Sequence, residues 1–353
     1  MRYPLVLGFL SASLLGCAND FTAPSLVDSL RILAVQAEPA SGAPGQTSTL
    51  KLVVADGALA AQGAAAPRPL QIAWLSGCHN PPTRQFFGCY PELSAVAAKL
   101  SPRVLDTPES AVPRAFLGTG DSYALDVPAD ILSAAPLLAG DSVHFGVSYV
   151  FFGVCAGELR ARPDVSDRVP LDCVDPSSGA PLDRRDFVTG FSTLFSYEGV
   201  TNHNPILSGV RFGSTELTDR ACQSDSDCRG DAAPSEAGFE LSCGSQNTCV
   251  PSLPSCTGDS CPEFSVTPEV DRASAEVLPG SQGTETLWAD FYADGGHFDS
   301  ATQLINDSSA GWVADQGTRF RIPRDRQGSV QLWVGVHDQR GGVALRAFEL
   351  LLR

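Results

Sequence analysis

The side chains whose types and spacing could do chemistry are ten cysteines in the body of the chain, one acidic loop, one cluster of arginines and a few dispersed serines and histidines. The cysteines are Cys78, Cys89, Cys155, Cys173, Cys222, Cys228, Cys243, Cys249, Cys256 and Cys261. An even set outside the cytosol reads as disulfides. Sequence proximity pairs Cys78 with Cys89, Cys155 with Cys173 and Cys256 with Cys261, leaving Cys222, Cys228, Cys243 and Cys249 with open connectivity. Structural zinc is disfavoured, since no two cysteines are separated by two residues and only His79 adjoins one. In the acidic loop, Asp225, Asp227, Gly230, Asp231 and Glu236 occupy positions 1, 3, 6, 7 and 12 of a calcium-loop pattern. There carboxylates converge on Ca2+ and the glycine permits the sharp turn. Arg229, Cys228 and Pro234 oppose that reading, and the competing expectation is a solvated acidic disulfide loop. Arg319, Arg321, Arg324 and Arg326 crowd one short stretch. On a strand Arg319 and Arg321 share a face and could meet sulfate, phosphate or an acidic glycan. The alternative is a solvated face balanced by Asp315 and Asp325.

Catalytic patterns are missing. The sequence has no His-Glu-x-x-His, no phosphate-binding glycine loop and no Gly-x-Ser-x-Gly elbow. Two Gly-Asp-Ser triplets, Gly120–Ser122 and Gly140–Ser142, precede apolar segments and read as turns. A dispersed hydrolase would need Ser122 or Ser142 to meet His144, His203 or another histidine and a carboxylate in one concave pocket. His337, beside Asp338, reads as a residue at a hairpin end.

At the N-terminus Arg2 precedes the apolar run Leu5–Leu15, then Leu14, Leu15, Gly16 and Cys17. The run is about half of the ~20 residues that span a bilayer and polar Asn19 and Asp20 follow it, so it reads as an export signal over residues 1–16. The Leu-Leu-Gly-Cys sequence resembles the lipobox of bacterial lipoproteins, which implies a thioether-linked diacylglyceryl group on Cys17. At about 0.8 kcal/mol per buried methylene, such chains hold a protein on a membrane essentially permanently. By the same resemblance, Ala18 after the lipidated residue implies the outer membrane, with the body facing the periplasm or the cell exterior.

The elements that must position these groups follow from composition and periodicity. The 353-residue chain carries a net charge of −16, which makes nucleic acid a poor partner; Arg in place of nearly all Lys reads as genome composition rather than function. At ~100 to 200 residues per domain, two domains are expected: residues 28–200 and 201–353, after a tether at 17–27, with a hinge near 198–204. Strands are expected at Leu30–Val35, Thr47–Val54, Leu70–Leu75, Tyr123–Val127, His144–Val154 and Phe187–Tyr197, then at Pro205–Phe212, Ser274–Leu278, Thr286–Tyr292, Thr318–Ile322, Ser329–Val336 and Val343–Leu352. Helices are expected at Pro91–Leu100 and Ala129–Leu138. Residues 221–263 form a Cys-rich insertion too polar to take shape without its disulfides.

Trp74 in one half, Trp288 or Trp312 in the other, and the closing pattern from Val334 to Val343 resemble bacterial surface lipoproteins built from tandem immunoglobulin-like or PKD-like sandwiches. The resemblance implies a mainly β fold: two immunoglobulin-like β-sandwich domains, with helical insertions in the first and the Cys-rich insertion in the second. It also implies a non-enzymatic role in adhesion, envelope architecture or contact with a protein or glycan partner, without a cofactor unless the Asp225 loop holds Ca2+.

Overall fold

The computed structural model describes residues 22–58, 68–136, 143–217, 219–228, 239–258, 260–278 and 280–353. Cys17, Gly140–Ser142, Arg229, Gly230, Asp231, Pro234 and Glu236 lie outside the described residues. The protein is mainly β, with several sheets and a disulfide-rich region. None of the described helices is long and apolar enough to cross a membrane.

The first half contains β1 (Leu30–Glu38), β2 (Thr47–Asp56), β3 (Gln71–His79), β4 (Leu117–Thr119), β5 (Ser122–Asp126), β6 (Phe145–Cys155), β7 (Glu158–Ala161), β8 (Leu171–Val174) and β9 (Phe187–Tyr197). They form a β1-β2-β5 sheet, a β4-β3-β6-β9 sheet and a β7-β8 hairpin. The two sheets close over Leu50, Leu52, Trp74, Leu125, Val150, Phe152 and Leu194. Trp74 is fully buried; its ring stacks on Tyr123 and meets Phe152 edge-on, and its indole N–H donates to the Gly120 carbonyl at 2.8 Å.

The second sheet is covered on its other face as well. Helix α1 (Tyr90–Ala97), started by Pro91 in its first turn, joins Val104 and the β7-β8 hairpin in burying Ala73, Leu75, Val147 and Phe151. A strand apolar on both faces cannot alternate, so β6 is buried almost throughout and its sequence is a nearly unbroken hydrophobic run. The first half is therefore three layers deep. The helix expected at Ala129–Leu138 does not form over its described part, which is a series of turns following Pro128.

The second half contains β10 (Leu207–Phe212), β11 (Thr215–Leu217), β12 (Glu240–Cys243), β13 (Cys249–Leu253), β14 (Glu263–Val270), β15 (Leu287–Ala293), β16 (His297–Phe298), β17 (Thr302–Asp307), β18 (Gly311–Trp312), β19 (Thr318–Arg321), β20 (Gly328–Asp338) and β21 (Val343–Leu352). Its sheets run β11-β10-β14-β19-β16 and β12-β13-β21-β20-β15-β17-β18. Between them lies a core of Phe212, Phe291, Phe320, Val330, Leu332, Val334 and Val336. The alternate residues Gln331, Trp333 and His337 lie on the opposite face of β20. In the β20-β21 turn, Asp338 Oδ1 accepts the N–H groups of Arg340 and Gly342 at 2.8 and 2.7 Å, while Gly341 takes φ +97°. Trp288 is no counterpart of Trp74: it lies on the outer face of β15 and stacks on the His337 ring at 5.5 Å. The Ser274–Leu278 strand is replaced by a 3-10 turn at Arg272–Ser274, whose N-cap Asp271 accepts the Ala273 N–H; Val277 then forms a single bridge to Thr284.

Candidate functional site

The two halves meet in a built junction. Val27, Leu33 and Ala55 pack with Val53 against Tyr292, Trp333 and Leu345, the outer face of the second half's large sheet. Burial there pushes the Tyr292 hydroxyl up to about 12. Ser25–Val27, read as the end of a tether, is docked instead: Val27 N donates to Ala293 O at 2.7 Å and Ala293 N to Ser25 O at 2.9 Å. The segment expected to hinge is likewise held from both sides. Asn202 is 2% exposed; its N–H donates to Ser41 Oγ at 2.9 Å and its Nδ2 to Asp338 Oδ2 at 3.0 Å. Asn204 Nδ2 donates to Ala37 O at 2.7 Å, and Asn204 Oδ1 accepts from Val343 N at 2.9 Å. These side chains satisfy backbone groups that a mobile linker would leave to water.

An ionic cluster lies beneath this linker. The Arg340 side chain, 4% exposed, donates from Nε to Glu285 Oε2 at 2.9 Å and from Nη1 to Thr201 O at 3.1 Å, and it also pairs with Glu276. Glu276 Oε1 in turn lies 2.6 Å from His203 Nδ1 at the surface. Burial pushes the Glu285 carboxyl above its usual range, and the Arg340 hydrogen bond opposes that rise. The turn from His337 to Val343 is therefore a junction as well as a hairpin, with Arg340 as its central cation.

The five disulfides join Cys78 to Cys89, Cys155 to Cys173, Cys222 to Cys243, Cys228 to Cys249 and Cys256 to Cys261. The first two fasten the α1 layer and the β7-β8 hairpin to β3 and β6, the inner strands of the central sheet. In the Cys-rich region, Cys222, Cys228 and Cys249 bring their sulfurs within 4.8 Å of one another. Two crossing bridges account for that proximity, and a bonded sulfur is not the thiolate a metal requires.

The acidic loop disposes of its described carboxylates locally. Asp225 and Asp227 sit in the one-turn helix α2 (Asp225–Cys228). Asp225 Oδ1 accepts from Cys243 N at 2.9 Å, and its Oδ2 lies 3.2 Å from Arg353 Nη1. Asp227 Oδ2 accepts the Gln223 and Ser224 N–H groups at 2.8 and 2.9 Å, which hold its carboxyl below the usual range. Asp225 and Asp227 are thus each engaged with the protein.

Arg319 and Arg321 do share the exposed face of β19, with Phe320 buried on the other. Their charge is answered at once: Arg319 Nη2 lies 2.6 Å from Asp299, and Arg321 Nε 2.8 Å from Glu263. Arg324 lies 3.4 Å from Asp325, and Arg326 Nη1 donates to the Asp294 carbonyl at 2.7 Å. Cross-strand carboxylates from β14 and the β16-β17 connection supply this neutralisation, in place of Asp315.

No described hydrogen bond joins Ser122 to a histidine. His144 instead binds the Ala135 carbonyl through Nε2 at 3.3 Å and pairs with Glu198. The Ser-His contact that the fold makes is one the sequence did not reveal: His79 Nδ1 and Ser148 Oγ lie 2.8 Å apart, across the β3-β6 register. Ser148 is 0% exposed, so its hydroxyl cannot reach a substrate; burial lowers the His79 pKa. A second pair lies on the outer sheet face, where His337 Nε2 stands 3.3 Å from Asp290 Oδ2 without the alignment of a hydrogen bond. Burial raises the Asp290 pKa, but His337 and the Thr302 hydroxyl outweigh it, and the net shift is downward.

Sheet architecture and covalent staples thus define a mainly β, disulfide-rich protein. The chain matches no protein-family profile and no curated protein. Among solved structures it is similar to the D00-D0 domain of intimin, at 12% identity over 92% of this chain and 98% of that one, with a TM-score of 0.18. It is also similar to the C-terminal domain of the Streptococcus pyogenes antigen I/II-family protein AspA, at 7% identity over 92% and 99% of the two chains, with a TM-score of 0.19. Overlap of that size carries no argument about partner or activity.

Proposed function

We propose that this chain is an exported, non-enzymatic binding protein of the bacterial envelope, held at the outer membrane by lipid on Cys17 and presenting a protein-recognition surface on its rigidly joined halves. The observation that carries the reading is the disulfide set: five bridges in a body that also has packed cores belong to an oxidising compartment. The junction supports it too. Arg340, Asn202 and the Val27 cluster fix the two halves against each other, which suits presentation of a surface rather than opening around a substrate.

Two measurements test the two parts of the proposal. Labelling with radioactive palmitate should mark the wild-type protein and not Cys17→Ser, which should leave the membrane fraction; equal labelling of both removes the anchor. Affinity capture from envelope extracts on the immobilised chain should retain a specific protein, and a blank eluate across extraction conditions would count against a binding role.

A further inference from the structure

The first and last described residues lie at one end of the body. Ser25 and Val27 hydrogen-bond to Ala293, where β15 finishes, and Leu352 pairs with Gly328, where β20 begins. In the first half, Leu30 N donates to Arg185 O at 3.0 Å, just before β9 starts. The linker is at the opposite end: it follows Tyr197, the last residue of β9, and its Asn202 and Asn204 bond to Asp338 and Val343 at the β20-β21 turn. The halves therefore lie side by side, and β20, 11 residues long, sets the distance between the two ends at about 33 Å.

Lipid on Cys17 would decide which end is down. Five residue steps separate Cys17 from Thr22, the first described residue. At no more than ~3.6 Å per step they reach about 18 Å, whatever path they take. Thr22 stays with the body, its hydroxyl 3.4 Å from Asp28 Oδ2. The tether end of the body thus cannot rise from the headgroups by more than about half of its own height.

That end presents guanidinium groups with free donors. Arg68 takes both Asp56 and Asp186. Asp28 accepts from the Thr22 and Ser29 hydroxyls, and Asp183 Oδ1 accepts the Arg185 N–H at 2.8 Å. Arg31, Arg184 and Arg185 form no ion pair with a carboxylate among the described residues. Arg31 Nη1 donates to Pro24 O, and Arg185 Nη2 to Asp28 O at 3.3 Å; each is one described bond from a group with five donors. Arg184 is exposed. Two of these side chains therefore clasp the very segment that runs toward Cys17. A guanidinium fork matches the oxygens of a phosphate, and basic side chains within a Debye length of an anionic leaflet are drawn to it.

We infer that the end carrying Arg31, Arg184 and Arg185 lies against the bilayer, its guanidinium groups hydrogen-bonded to phospholipid phosphates, so that the body stands upright with the linker end away from the membrane. The inference rests on the lipid anchor proposed above and adds an orientation and a lipid contact to it.

The test places a fluorescent amino acid, by amber suppression, at Ser329 near the tether end or at Val277 near the linker end of the full chain. The protein is checked for palmitate on Cys17 and reconstituted into vesicles of phosphatidylglycerol and phosphatidylethanolamine that carry a nitroxide on a fraction of the headgroups. No other macromolecule is present, so a protein or cell-wall partner cannot supply the contact. Quenching should be at least about fivefold stronger at Ser329 than at Val277, given the ends' separation along β20. Arg184→Glu with Arg185→Glu should reduce that contrast at least about twofold, while Arg184→Lys with Arg185→Lys should keep most of it, each with the circular dichroism spectrum of the unsubstituted chain. Equal quenching at the two positions, or a contrast indifferent to charge reversal, overturns the inference. If Cys17 carries palmitate in that event, the orientation alone is refuted; if it carries none, the anchor falls and the orientation with it.

Discussion

The first half and the Cys-rich region of the second use the same covalent bond for different ends. In the first, Cys78–Cys89 and Cys155–Cys173 border a layer already filled by Leu75, Leu93, Phe151 and Leu159, so each bridge fastens a surface layer to an existing core. In the second, Cys222, Cys228 and Cys249 are themselves the buried members of a small cluster, joined among the described residues by partly buried Leu241 and Cys243. A segment that cannot bury enough apolar surface takes its shape from cross-links instead. A disulfide's contribution is thus read from what surrounds it: an addition in one place, the scaffold in the other.

The sharpest way to break the comparison is to empty the core. Trp74→Ala should destabilise the first half by about 3–5 kcal/mol, because it removes a fully buried ring and the Gly120 hydrogen bond. Chemical denaturation followed by near-ultraviolet dichroism measures it, and a loss below about 1 kcal/mol would mean that the core is not what holds that half. Removing the cation of the junction comes next. Arg340→Ala leaves Glu285, 0% exposed, without its counter-charge and should cost about 3 kcal/mol or more. Amides of residues 201–204 should then exchange faster with deuterium, as the linker is released.

The double variant Cys228→Ala with Cys249→Ala opens a bridge of sequence separation 21, with an effect of about 3 kcal/mol in the loop-entropy model. Trypsin should then cut within 221–261 while both sandwiches stay intact; the corresponding Cys78→Ala with Cys89→Ala protein should keep its core and expose only the α1 layer. Equal protease patterns in the two double variants would erase the contrast. The smallest effect concerns Asp175 and Asp307, each of which accepts hydrogen bonds from two following residues and is held down to about 2. Because their folded pKa lies below the unfolded value, the stability they add is present above about pH 4 and is lost as pH falls toward 2. Carboxyl-carbon titration by NMR should show the low midpoints, and Ser177→Ala should move that of Asp175 upward while Asp307 stays in place.

Legibility in the sequence followed burial. β9 and β21 span the segments expected of them, Phe187–Tyr197 and Val343–Leu352. The unbroken apolar run of β6 marked a strand but not the reason for it, the third layer on its far face. β14 went unread because it opens in the polar Cys-rich stretch and carries Pro268, and few of its side chains are buried. The arginine face on β19 was legible from period alone; its neutralisation by Glu263 and Asp299 was not, since both carboxylates arrive through pairings distant in sequence. The His79–Ser148 contact spans 69 residues and depends on a register that no local pattern encodes. One signal was open to reading: Pro251 marks a donor missing from one side of β13.

The docking of Ser25–Val27 onto Ala293 decides how the molecule bears load. A pull on the chain's first described residues reaches the second half through that bridge before it reaches β1, so the two halves are strained side by side rather than one after the other. With the bridge intact both halves share the tension; without it, the load would fall on the contacts that Asn202 and Asn204 make with each half.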